Sequence, residues 1–325
     1  MPSSLTGIAK LAHSAPSLLH KRETEYFQIP TYELLNRCTS QRMPFEWTIN
    51  PYRGCEFGCK YCYARYTHEF MELREPEDFE RKIFAKQWNP VSFRERLRKI
   101  DPAQRIAIGT ATDPYQPAER KYQLTRSILE VFASMSGREL SLVTKSDLVR
   151  RDADLLAAIA RRNKLYVGIT VTTIDTELAR MLEPMAPRPD LRLAAVQSLS
   201  EAGVPVGVLC CPLLPLINDR EPQLDALAAA AKLAGAQWLA SNVVFLTEPA
   251  RRVFFPFLAE KFPHLERRYR EKFQRGAFLR GEYPKMLQER FRRIRNAHGL
   301  SSRFPDYQPE EWAEGAPQQL PLLIS

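Results

Sequence analysis

The sequence predicts an α/β fold built on a parallel sheet, and three observations carry that prediction. Six β-type runs alternate strictly with helix-type stretches between residues 45 and 250. Strands joined through helices need crossovers, which makes their pairing parallel and right-handed. The segments that follow these runs are polar: Asn50, Thr110–Asp113, Thr144–Ser146, Thr170–Thr173, Cys210-Cys211 and Ser241-Asn242. Such carboxyl ends are where folds of this class hold ligands. The composition, 44% hydrophobic and 26% charged over 325 residues, is that of an ordinary globular chain. Six units rather than eight would make an incomplete (β/α)6 barrel of the TIM type; a doubly wound open sheet is the alternative.

The elements follow in order. Residues 1–44 are polar with no clear period and read as an irregular lead-in. Residues 47–50 form a first strand stopped by Pro51. Residues 105–109 alternate as a second strand, and 122–136 place Leu124, Ile128, Leu129 and Phe132 at helical spacing. A strand at 140–144 precedes a helix at 152–162 with Leu155, Leu156 and Ile159 on one face. The strand at 165–172 is the clearest, and the helix at 191–202 is stopped by Gly203. A strand at 204–210, a helix at 224–234 and a strand at 238–245 complete a core spanning 45–250. Residues 251–325 read as a basic, helical C-terminal extension.

Other classes drop out. No G-x-G-x-x-G, P-loop or G-x-S-x-G motif occurs, so neither a dinucleotide fold, a nucleotide triphosphatase nor a serine elbow is signalled. The apolar run 204–217 is broken by Pro205, Pro212 and Pro215 and is too short to span a membrane. The first residues lack a signal-peptide pattern, and six cysteines in no framework spacing suit a reducing compartment, so a cytoplasmic protein is expected.

The sharpest signal is Cys55-Glu56-Phe57-Gly58-Cys59-Lys60-Tyr61-Cys62-Tyr63, a C-x3-C-x2-C on the loop after the first strand. Three thiolates this close can surround one soft metal centre. In a four-iron cubane they leave one iron open, and an open position marks a catalytic centre. The rival readings are a structural zinc site completed by His68 or Cys38, and three unrelated buried thiols.

With Tyr61 before the last cysteine, this motif resembles the radical SAM superfamily. Asn50–Cys55, Cys62–Arg65, Gly109–Pro117 and the stretch from Leu182-Glu183-Pro184 to Arg192-Leu193 resemble, more narrowly, the group related to spore photoproduct lyase. The similarity runs over about residues 45–250. It implies a partial (β/α)6 barrel holding a [4Fe–4S] cluster on Cys55, Cys59 and Cys62, with S-adenosylmethionine on the open iron. Reductive cleavage of that cofactor, with an electron from a donor such as flavodoxin or ferredoxin, would give a 5′-deoxyadenosyl radical. By the same resemblance Tyr61 packs near the adenine, and Thr112 and Asp113 meet the methionine amino group. Lys145 and Thr170 approach the carboxylate or ribose, and Arg192 pairs with the carboxylate. Spore photoproduct lyase carries a hydrogen-donating cysteine in the segment equivalent to 109–113; here the matching residue is Thr110. Cys210 or Cys211 could stand in for it, although packing is the blander role for that pair.

The net charge of +9 comes wholly from residues 251–300, with 14 Lys+Arg, 5 Asp+Glu and nine aromatics. Basic residues interleaved with rings suit a nucleic-acid surface. Yet Leu265, Tyr269 and Phe273, and Leu287, Phe291 and Ile294, form amphipathic stripes. Those rings are then expected to pack inward, with Arg267, Arg268, Arg290, Arg292, Arg293 and Arg295 facing water. Repair or modification of a nucleic acid heads the readings. Radical chemistry on a protein or small molecule is second, and a nucleic-acid-binding protein with a structural or redox-sensing cluster is third.

Overall fold

A computed structural model describes residues 5–21, 24–41 and 43–312. Eleven strands form two sheets among these residues. They are β1 (Ser17–Lys21), β2 (Thr24–Pro30), β3 (Leu35–Arg37), β4 (Trp47–Ile49), β5 (Tyr52–Arg53), β6 (Lys82–Gln87), β7 (Arg105–Ile108), β8 (Glu139–Thr144), β9 (Lys164–Thr170), β10 (Val206–Leu213) and β11 (Leu239–Val243). The large sheet runs β3-β4-β7-β8-β9-β10-β11, and every pair from β4 onward is parallel. A doubly wound sheet reverses its strand order at a switch point. Here the order increases without reversal, and β3 and β11 stay unpaired with each other, so the arrangement is the partial (β/α)6 barrel.

Register explains why this sheet holds together. Ile49 lies opposite Ile108, Ile108 opposite Leu142, Leu142 opposite Val167, and Val167 opposite Val206. All five are fully buried, so one aliphatic row crosses the sheet beneath the surrounding helices. Helices Leu124–Ala133, Ala153–Arg162, Pro189–Glu201 and Glu221–Leu233 cover it with the apolar faces expected from their spacing. Gly207 lets the Trp238 ring into the barrel floor, since a Cβ there would stand 2.3 Å from that ring. Phe304 stacks on Tyr166 at 4.4 Å below it. The Tyr307 hydroxyl accepts from the Leu165 N–H at 2.7 Å and donates to the Asn163 carbonyl at 2.9 Å. The amino-terminal end of the barrel is thus filled by the chain's own tail.

Two expectations are corrected. Residues 1–44 are not an irregular lead-in: they contain helix Gly7–Ser14 and strands β1, β2 and β3. β2 pairs in parallel with β6, more than fifty residues away, so nothing in the local sequence announces it. The second concerns residues 251–300, which are helical as expected but share the cores of the barrel. Leu287, Phe291 and Ile294 of helix Glu282–Ala297 lie in the main core beside Leu224 and Leu227. This helix occupies the sixth helical place of the barrel. Among the described residues no helix is long and apolar enough to cross a membrane.

Candidate functional site

The cysteine loop leaves the top of the barrel through Asn50, Pro51 and β5. Gly54 turns the chain at φ 81°, where a Cβ would meet the carbonyls of Lys82 at 2.7 Å and Phe79 at 2.8 Å, so only glycine fits. The Gly54 carbonyl accepts from Thr112 Oγ1 at 2.5 Å and Gln116 Nε2 at 3.2 Å, while Gln116 Oε1 accepts from the Glu56 N–H. Farther on, the Lys60 N–H donates to the Leu182 carbonyl at 2.9 Å. Arg65 Nη2 donates to the Cys59 carbonyl at 3.2 Å, with Arg65 Nη1 held on Glu80 at 2.6 Å. Every turn of the loop is therefore fastened by a neighbour.

Cys55 and Cys59 are buried, Cys62 is half-buried, and none is in a disulfide. Burial pushes all three thiols up, Cys59 to about 12; Cys59 and Cys62 add to the shift at Cys55, and Cys62 adds to it at Cys59, so the three lie near one another. Three soft donors with no fourth cysteine beside them among the described residues fit a cubane with one open corner. His68 is turned away, with Nε2 3.0 Å from the Lys82 carbonyl.

Around this loop the strand ends build a buried ionic network. Glu183, fully buried, lies with Oε2 2.5 Å from Arg192 Nη1 and Oε1 3.9 Å from Lys145 Nζ. Thr172 Oγ1 donates to it at 2.6 Å, and so does the Tyr61 hydroxyl. Burial alone would raise the Glu183 carboxyl, but Arg192 and Lys145 outweigh it and hold the carboxyl below the ordinary glutamate value. Asp113 accepts from Thr144 Oγ1 at 2.6 Å, the Lys145 N–H at 2.7 Å and the Tyr115 N–H at 2.9 Å.

These contacts change several expected roles. Arg192 is 1% exposed, and its fork is committed to Glu183 and to the carbonyls of Thr170 and Pro187. These contacts hold Arg192 against Glu183 at the end of the fourth parallel strand. The Thr112 hydroxyl holds the cysteine loop, and Asp113 ties β7 to β8. Tyr61 is tethered through its hydroxyl, with Lys145 Nζ 5.9 Å from its ring centre. Lys145 keeps its head in this space, beside Cys59 and Glu183. Glu183, Thr172 and Gln116 had no assigned role in the sequence, although the Leu182-Glu183-Pro184 match, the polar end Thr170–Thr173 and the Gly109–Pro117 match pointed to their segments. At the rim Asn50 Nδ2 donates to Thr110 Oγ1 at 3.1 Å, and Asn50 Oδ1 accepts from the Ala111 N–H at 2.7 Å. The pleat of β10 sends Cys210 into the core and Cys211 to the other face. There burial pushes Cys211 up to about 11 against the pull of Lys145.

The basic segment borders this loop. Cys55, Cys59 and Tyr61 share a hydrophobic core with Phe254, Phe257, Leu265, Tyr269 and Phe273 from helices Glu248–Lys261 and Pro263–Phe273. The stripe residues are inside as expected, but Arg290 and Arg295 are half-buried rather than facing water. Most of the cations have partners: Arg252 meets Glu69, Arg270 meets Glu266, Arg292 meets Glu289, and Arg290 and Arg293 meet Glu221. Arg275 and Arg280 are exposed and, like Arg268 and Arg295, take no part in the ion pairs among the described residues. They flank Phe278, whose ring stacks on Phe245 at 5.3 Å; Phe245 in turn lies 4.9 Å from Tyr63 beside Thr110.

Comparison with known proteins agrees with this geometry. Residues 49–228 match the family described as the radical SAM superfamily. A Mycobacterium tuberculosis protein described only as uncharacterized is 36% identical over 86% of this chain and 83% of its own length. An uncharacterized Methanocaldococcus jannaschii protein is 31% identical over 54% of this chain and 63% of its own. Among solved structures, spore photoproduct lyase complexed with dinucleoside spore photoproduct superposes with a TM-score of 0.61 at 20% identity, covering 83% of this chain and 79% of that one. The same enzyme with bound AdoMet gives 0.60, over 81% and 76%. The chain therefore belongs to the radical SAM superfamily, enzymes that work with a [4Fe–4S] cluster and S-adenosylmethionine.

Proposed function

We propose that the protein performs radical chemistry on a nucleic acid, with Cys55, Cys59 and Cys62 as the ligands of its cluster. When bound, the cluster and S-adenosylmethionine supply a 5′-deoxyadenosyl radical that abstracts hydrogen from substrate. The chain's own residues hold the cysteine loop through Thr112, Gln116 and Arg65, keep Lys145 beside the cluster space, and exclude water with the helices over the loop. A flavodoxin or ferredoxin is the class of electron donor this chemistry calls for.

The observation that carries the substrate class is the pair of exposed cations Arg275 and Arg280, on a loop that reaches the barrel mouth through Phe278, Phe245 and Tyr63. Spore photoproduct lyase, of like fold, has been solved with a dinucleoside photoproduct. The reaction differs from that of the lyase at its hydrogen-return step. Thr110 stands where the lyase carries cysteine, and a hydroxyl is a poor hydrogen donor to carbon.

Anaerobically reconstituted protein with reductant and S-adenosylmethionine is expected to form 5′-deoxyadenosine, and alanine at any of the three cysteines to abolish it. Oligonucleotide affinity should fall with salt, and Arg275→Ala/Arg280→Ala should reduce the logarithmic salt slope by roughly 1 to 2. Salt-independent or absent binding would move the substrate to a protein or small molecule.

A further inference from the structure

Behind the cysteine loop, two buried side chains each keep one polar atom without a partner among the described residues. Arg65 precedes the short helix Tyr66–Glu69 and His68 lies within it, a spacing of three that makes the two neighbours. Both pack on Phe79: Arg65 Cζ lies 5.6 Å from its ring centre, and the His68 ring stands edge-on at 5.2 Å. Arg65 is 4% exposed and His68 2%. Arg65 uses Nη1 on Glu80 and the Pro76 carbonyl, and Nη2 on Glu80 and the Cys59 carbonyl, which leaves Nε over. His68 uses Nε2 on the Lys82 carbonyl, which leaves Nδ1 over.

The two leftover atoms are complementary. A carbonyl accepts and never donates, so His68 Nε2 carries the ring proton, and burial keeps the ring neutral. Nδ1 is then an acceptor, while Arg65 Nε–H is a donor. Stranding either one in the interior is costly, and ordered water is what satisfies such groups. Both residues line one cavity of about 20 Å³, together with Glu69, Phe79, Pro249 and Arg252. Roughly 10–15 Å³ is enough for a single water molecule. The same two atoms disfavour an ion: the Nδ1 lone pair repels an anion, and the Arg65 N–H repels a cation.

We propose that one ordered water is bound in this cavity, accepting from Arg65 Nε–H and donating to His68 Nδ1, and that His68 is through it a positioning residue for the cysteine loop. Arg65 Nη2 donates to the Cys59 carbonyl at 3.2 Å, so the water joins the start of β6, by way of His68, to the backbone of Cys59. Groups that orient a ligand from behind tune the metal it holds. A firmly held guanidinium on the Cys59 peptide draws negative charge toward itself and so favours the reduced cluster. The water site stands on Arg65 and His68 alone; its bearing on the cluster rests on the reading of Cys59 as a ligand.

A crystal structure of the full chain is expected to show one water within about 3.2 Å of both atoms. An empty cavity, or Arg65 Nε paired directly with His68 Nδ1, overturns the site. His68→Gln retains a donor for the Lys82 carbonyl and deletes Nδ1, whereas His68→Asn retains an acceptor near the Nδ1 position. Reconstituted His68→Gln is expected to hold as much iron as the wild type but to show a lower midpoint potential, which His68→Asn restores toward the wild-type value. Equal potentials in wild type and His68→Gln at equal iron content overturn the positioning role. Should His68→Gln fail to fold, Leu73→Phe takes its place, since Leu73 also lines the cavity and a larger side chain there expels the water with both partners intact. A potential unchanged by Leu73→Phe overturns the role as well. Cys59→Ala separates this from the ligand reading: full iron retention by that variant removes Cys59 from the cluster and leaves the water site to the crystal structure.

Discussion

At the scale of the residue, Glu183 is the position on which the site depends most. It accepts from Tyr61 and Thr172 and neutralises Arg192 and Lys145 in a fully buried setting. Removing one partner of a buried ion pair leaves the other uncompensated, which costs about 3–5 kcal/mol. Glu183→Gln is therefore expected to lower stability at pH 7 by about that amount and to loosen Tyr61 against the cysteine loop. The pH dependence has a definite sign. The folded carboxyl lies below its unfolded value, so its contribution is fully present above the ordinary glutamate range. It is lost as pH falls through the lower, folded value. Urea unfolding across that acid window should show the wild type losing stability and Glu183→Gln losing less. Parallel curves would mean that the Glu183 carboxylate does not stabilise the fold through its charge. The cysteines were legible from sequence because their spacing is itself the signal. Glu183 was not, because its importance comes from Tyr61, Lys145, Thr172 and Arg192, on four other segments that meet it only after folding.

At the scale of the element, the barrel was legible and the small sheet was not, for one physical reason. The parallel strands are four to eight residues long for β7 to β11, apolar, and separated by helices of strong period. β3 and β5 are three and two residues, and β2 and β6 find each other across the chain, so no local pattern marks them. The basic extension shows the same principle in reverse. Its i, i+4, i+7 stripe was visible, while its place against Glu221–Leu233 depends on tertiary contact. That place separates two substitutions on one helix. Phe291→Ala, at 2% exposure, should cost about 3–5 kcal/mol. Arg292→Ala, next to it but exposed and paired with Glu289, should stay within about 0.5 kcal/mol. Chemical denaturation of the two variants tests this; comparable losses would mean that the helix is held by its charges and not by its stripe.

At the scale of the whole molecule, the two ends of the barrel have separate tasks. The carboxyl ends carry the cysteine loop, the Glu183 network and the helices that roof them. The opposite end is filled by Trp238, Tyr166, Phe304 and Tyr307 and offers no route through. The tail is then a stabilising closure, distant from the chemistry. Tyr307→Phe removes the hydroxyl that accepts from the Leu165 N–H and donates to the Asn163 carbonyl, leaving a backbone donor at the head of β9 without its partner. A loss of about 1–3 kcal/mol follows from stranding such a group. Truncation after Leu300 should cost more and admit a quencher to the Trp238 indole, which is 1% exposed in the intact chain. Below the melting temperature, formation of 5′-deoxyadenosine by Tyr307→Phe should equal that of the wild type. A folded Tyr307→Phe protein with full iron content but impaired cleavage would show that the barrel floor reaches the reacting groups, and the division of labour between the two ends would have to be abandoned.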